Sequence, residues 1–179
     1  MASTAPSRIW GMRMAFLGIC LLIIFFHLLP LDTLPRRWAP PDLLLCLVFS
    51  WSVRRPDFVP VASVAGIMLL GDLLFHRPPG LLALLVVIGN EYMRRQSGHS
   101  RDMSFMGEWV TAAATITVIT IANRLVLGAT GVQQAALGLI LIQMIMTVFA
   151  YPLVALVSQN LLGVRRLAPS DLDAMGVPR

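Results

Sequence analysis

Six apolar runs, joined by short links that carry most of the arginines, constrain this chain more than any other feature of its 179 residues. As predicted helices they cover about 9–31, 38–53, 58–75, 79–95, 108–128 and 132–162. A membrane-spanning helix uses about 20 residues, so six of them consume roughly 120 and leave little beyond ends and loops. Composition agrees: 57% of the residues are hydrophobic and 13% charged, where a soluble domain averages about 45–50% and about 25%. A water-soluble domain of this size cannot cover so much apolar surface. The expectation is an all-α integral membrane protein: one compact six-transmembrane-helix bundle over 1–165, with a short cytoplasmic tail over 166–179. No segment is long and polar enough to form a separate soluble domain.

All 14 basic residues are arginine and the net charge is +5. In a soluble protein this balance would point to nucleic acid. In a membrane protein it records topology, because arginine accumulates in cytoplasmic loops. With the N-terminus inside and six crossings, the inside holds Arg8, Arg13, Arg54, Arg55, Arg94, Arg95, Arg101, Arg165, Arg166 and Arg179. The outside holds Arg36, Arg37 and Arg77, and Arg124 lies in the outer end of the fifth run. The asymmetry predicts two cytoplasmic termini and no nucleic-acid partner. The first run is not read as a cleaved secretion signal: its apolar part, 14–31, exceeds the usual 7–15 residues, and no A-x-A site follows.

The links have their own chemistry. Pro40-Pro41 opens the second run, which is too short to cross a hydrocarbon core of about 30 Å unless it starts near Trp38 or lies among other helices. Trp38 and Trp51 then stand near its ends as interfacial anchors. Pro56 breaks the chain after Arg54-Arg55. His76-Arg77-Pro78-Pro79-Gly80 and Gly128–Gly131 make the next breaks in the outer half, and Pro152 predicts a kink in the long last run.

No HExxH, G-x-S-x-G, Walker loop or dinucleotide fingerprint is present. His27, His76 and His99 do not converge, and Cys20 and Cys46 have no metal-ligand spacing. The expectation is a chain without catalytic residues, cofactor or metal. Attention therefore falls on polar groups inside apolar runs, where they are expensive. Asp72 reads either as a helix-end carboxylate that reaches water or pairs with His76, or as a buried clamp to Arg124. Glu91 is placed to pair with Arg94 and Arg95, and Asn90 to donate between helices. Gln143, Thr147 and Tyr151 form one stripe at i, i+4 and i+8, next to Pro152. The stripe lines a ligand cavity or, in the favoured reading, packs against a helix. Small residues at Thr111–Thr117 of run five and at Ala62, Ser63, Ala65, Gly66 and Gly71 of run three read as internal helix contacts. The large side chains of run one read as facing lipid or a partner's helix.

Taken in order, Pro41-Asp42-Leu43-Leu44-Leu45, Trp51, Arg54-Arg55-Pro56, Gly66, Gly71-Asp72-Leu73-Leu74, Pro79-Gly80, Arg94-Arg95, Gln143 and Tyr151-Pro152 resemble MreD, the family of rod-shape-determining bacterial membrane proteins. The resemblance spans about 40–166. His76-Arg77-Pro78 departs from the small residues more common at that turn. The resemblance implies a non-enzymatic scaffold of the cell-elongation complex in the inner membrane, which helps position lateral peptidoglycan synthesis and maintain cell shape. Its implied partners are membrane lipids, an MreC-like single-pass protein, the actin-like MreB filament, and RodA with its transpeptidase. The implied fold is similar to the substrate-binding subunits of energy-coupling-factor transporters. Asp42, Asp72, Tyr151 and Pro152 become candidate structural or partner contacts, joined from the polar pattern by Arg124 and Gln143. One alternative is a small-molecule-binding membrane subunit of a vitamin or nutrient transporter, which would need polar groups converging on an outward-facing pocket. The other, an intramembrane enzyme, lacks every recognisable catalytic spacing.

Overall fold

A computed structural model describes residues 6–29, 39–99, 104–132 and 134–162. Among them are six α-helices and one 3-10 turn: α1 (Pro6–Leu28), α2 (Leu43–Arg54), the turn Pro56–Phe58, α3 (Val61–Leu74), α4 (Leu81–His99), α5 (Phe105–Ala129) and α6 (Leu137–Leu162). No strand occurs among the described residues. Three helices are long and apolar enough to cross a membrane: Ser7–Leu28, Phe105–Ala129 and Leu137–Asn160. Helices α2 and α3 are apolar but shorter. Trp38, Arg36, Arg37, Arg101, Arg165, Arg166, Arg179 and the tail lie outside the described residues.

The organising element is α2. It has 12 residues, about 18 Å of helix, and every residue from Leu44 to Arg54 is buried. It packs most extensively on α6 and also meets α4 and α1, while α3–α4, α4–α5 and α5–α6 pack as sequential neighbours. A helix apolar on all sides has no solvent face to offer and belongs in an interior. Its shortness is compatible with this position, since a helix enclosed by others need not match the thickness of a bilayer.

Trp51 corrects the interfacial expectation. It is fully buried. Its ring lies 5.6 Å from that of Phe16 on α1, and its indole N–H donates to Ser158 Oγ on α6 at 3.1 Å. A tryptophan inside a core requires such a partner for its one donor.

The outer helices use their faces unequally. Helix α1 buries Phe16, Cys20 and Ile24, one residue per turn, and exposes Trp10, Met14, Leu21, Leu22, Phe25 and Phe26. Arg13 Nε ties its first half to the Asp57 carbonyl at 3.1 Å. On α5, Ala112, Thr115, Ile116 and Ile119 face inward. They come so close to α4 that a Cβ on Gly89 would stand 2.8 Å from Ile119 Cδ1 and Thr115 Cγ2. Thr111, Thr115, Thr117 and Thr120 each donate to the carbonyl four residues earlier, at 2.8 Å. Those bonds hide the hydroxyls inside the helix's own backbone. On α3 the small-residue expectation holds for Gly71, which is buried, but not for Ala62 and Gly66, which point outward.

Candidate functional site

The polar residues gather in two centres, one at each end of α2. At its C-terminal end, Arg54 and Glu108 form a buried ion pair, Nε to Oε1 at 3.1 Å. Arg54 Nη1 also donates to the Ala155 carbonyl at 3.0 Å and to Gln159 Oε1 at 3.3 Å. Tyr151 donates its hydroxyl to the same Glu108 oxygen at 2.8 Å. Arg54 lies in the last turn of α2 and Glu108 in the first turn of α5. Each charge therefore stands at the helix end whose dipole favours it. Phe105 adds its ring 5.9 Å from the guanidinium carbon. The centre joins α2, α5 and α6, and buried ionic groups persist when paired and hydrogen-bonded in this way. Sequence reading placed Arg54 among the topology arginines and passed over Glu108, whose partners lie 54 and 43 residues away.

Pro152 adjoins this centre within α6. A proline cannot donate to the carbonyl four residues earlier. That carbonyl belongs to Val148, and Trp109 Nε1 takes it at 2.9 Å.

At the N-terminal end, Asp42 caps α2 by accepting from Leu45 N at 3.1 Å. Its own backbone N–H donates to Thr147 Oγ1 at 2.9 Å, and Cys46 Sγ donates to the Thr147 carbonyl at 3.3 Å. These bonds fix the start of α2 against α6.

Asp72 sits nearby, at the end of α3, and is 1% exposed. It neither reaches water nor forms the clamp expected with Arg124. Its Oδ2 accepts from the Gly80 and Ala83 N–H groups at 3.1 and 3.2 Å. Those groups open α4, and the N–H of the third helical residue is the one an N-cap side chain ordinarily takes. Gly80 has no side chain and turns with φ +90°, so the cap arrives from the preceding helix. Between them, His76 adopts φ +54°, with Arg77 N bonded to the Asp72 carbonyl and His76 N to that of Leu73. This is a Schellman ending with histidine where glycine is usual. Arg124 instead donates Nη1 to the Ala135 carbonyl at 3.4 Å. Asn90, expected to donate between helices, is fully buried and neither of its amide atoms has a partner among the described residues.

A cavity of about 380 Å³ opens beside this end of α2. Its polar lining includes Arg77, Arg124, Asn123, Gln143, Thr147 and Asp42, over apolar side chains such as Leu45, Ile116 and Met144. The stripe on α6 is thus divided: Gln143 and Thr147 line the cavity, whereas Tyr151 turns to Glu108. The structure brings Asp42, Arg124 and Gln143 together around one space and leaves Asp72 just outside it, as a joint. No group of three His, Cys, Asp or Glu side chains suited to a metal occurs among the described residues. Comparison with family models, with curated proteins and with solved structures returns no match.

Proposed function

We propose that this chain is a non-enzymatic scaffold of the bacterial cell-elongation complex, as its resemblance to MreD implies. In this reading it spans the inner membrane six times, with both termini cytoplasmic and a packing similar to the substrate-binding subunits of energy-coupling-factor transporters. One observation carries the reading: five of the quoted motif residues, Asp42, Arg54, Asp72, Gly80 and Tyr151, form joints of the fold. Asp72 of one motif accepts from Gly80 of the next. Arg54 and Tyr151, from motifs nearly 100 residues apart, meet on one Glu108 oxygen. Asp42 opens the central helix and closes on α6. Motif residues that serve fold geometry, with a broad apolar face left on α1, suit a protein that works by holding partners rather than by turning over a substrate.

The test is depletion in the source cell together with co-purification. Loss of rod shape without a nutrient requirement, and recovery of a single-pass coiled-coil protein of the MreC type, are expected. Normal shape on depletion overturns the proposal. A reporter inserted at 100–103 should be cytoplasmic.

The cavity beside Gln143 and Thr147 favours a second reading, a small-molecule-binding transporter subunit. A nutrient requirement on depletion, with normal shape, would select it.

A further inference from the structure

We propose that the cavity beside the N-terminal end of α2 holds the phosphate-bearing headgroup of an anionic phospholipid. The inference is independent of the scaffold role.

Charge comes first. Two guanidinium groups, Arg77 and Arg124, line the space against one carboxylate, Asp42. That carboxylate is already engaged in capping α2. Arg77 is held with its guanidinium carbon 5.3 Å from the Phe75 ring centre, and its side chain makes no hydrogen bond among the described residues. Among the described residues Arg124 commits one N–H, to a carbonyl at 3.4 Å. Arginine presents five donors in a planar fork suited to phosphate oxygens. Most of that capacity is unspent here, in a wall otherwise largely apolar.

The remaining polar lining suits the rest of a headgroup. Asn123 and Gln143 bring side-chain amides to the wall. Gln134, also in the lining, donates its Nε2 to the Arg124 carbonyl at 3.1 Å. The volume lies within the range of roughly 300–1,000 Å³ typical of ligand sites.

The surroundings distinguish a lipid from a free anion. Two apolar grooves adjoin the cavity, and each shares an arginine with it. One runs between the end of α1 and the start of α2, past Phe26, Leu43 and Phe75, and is lined also by Arg77. The other lies on the outward side of α5, past Ile121 and Leu125, and is lined also by Arg124. Ile121 and Leu125 are exposed. A soluble phosphate has no use for these grooves. An amphiphile can leave its charged end between the arginines while an acyl chain follows either groove outward.

The test is thermal unfolding of the purified full chain in a neutral detergent, with native mass spectrometry for stoichiometry. The probes are phosphatidylglycerol, phosphatidylcholine and inorganic phosphate. Phosphatidylglycerol should raise the melting temperature and remain bound, while the other two leave it unchanged. Its affinity should fall about tenfold or more in R77Q/R124Q, the loss of at least one charge-assisted contact, and remain at the wild-type value in R95Q. T120F, which places a bulky ring in the cavity without removing charge, should also weaken the shift. Equal stabilisation by phosphatidylcholine or by inorganic phosphate overturns the proposal. So does an undiminished phosphatidylglycerol effect in folded R77Q/R124Q or in T120F.

Discussion

Trp109 supplies, from α5, the hydrogen bond that Pro152 denies to α6: its indole N–H reaches the Val148 carbonyl at 2.9 Å. The relationship explains how a proline sits inside a 26-residue apolar helix without orphaning a backbone acceptor where water is scarce. It also makes the two residues interdependent. Trp109→Phe should cost about 1–2 kcal/mol while Pro152 is present, the cost of an unsatisfied carbonyl plus a lost bond. On a Pro152→Ala background the restored backbone N–H serves the same carbonyl, and the cost should fall below about 0.5 kcal/mol. A double-mutant cycle of reversible unfolding in mixed micelles measures the coupling.

The Arg54–Glu108 pair predicts a different pattern. Arg54→Ala or Glu108→Ala alone leaves one charge buried and should cost about 3–5 kcal/mol. Replacing both, as in Arg54→Met with Glu108→Leu, should cost less than either single change, because no charge is then stranded. Tyr151→Phe removes one charge-assisted bond and should cost about 1.5–3 kcal/mol. Unfolding midpoints of the four variants test this order.

Asp72→Ala should destabilise by about 1–2 kcal/mol through the loss of the α4 cap. Gly80→Ser should not restore it, since φ +90° strains any residue with a Cβ. Hydrogen exchange in the first turn of α4 should rise in Asp72→Ala and stay high in the double variant.

His76→Gly should raise stability by up to about 1 kcal/mol, by relieving a left-handed residue at the end of α3. His76→Val, β-branched, should lower it. A comparison of melting temperatures decides both.

Asn90→Leu should be neutral or stabilising by about 1 kcal/mol, because the amide it removes is buried without a partner among the described residues. A marked loss of stability in this variant would show that Asn90 has a partner.

The legible part of this architecture was the part encoded locally. Apolar runs marked where helices lie, Pro56 and the 76–80 turn marked where they break, and the shortness of the second run already raised the prospect of a helix enclosed by others. Helix α2 is indeed buried along its length. The centres were less legible because their contacts are long-range. Glu108 stands at the edge of a polar loop, where a carboxylate ordinarily means water. Only Arg54 and Tyr151, folded onto it from elsewhere, make it internal. Trp51 has the position of an interfacial tryptophan in sequence, and Ser158, 107 residues later, withdraws it into the core. Asp72 was conspicuous for the right reason, the cost of a carboxylate in an apolar run, but its partners are backbone N–H groups, which no side-chain pattern announces.

The enclosure of α2 has a consequence for how the molecule is made. The partners that its polar groups meet outside the helix come from α5 and α6. At a synthesis rate of about 5–20 residues per second, the 107 residues between Trp51 and Ser158 take roughly 5–20 s to appear. Throughout that interval the early helix waits for a finished environment that is not yet translated. A chain that stops before α6 lacks the residues that close this centre.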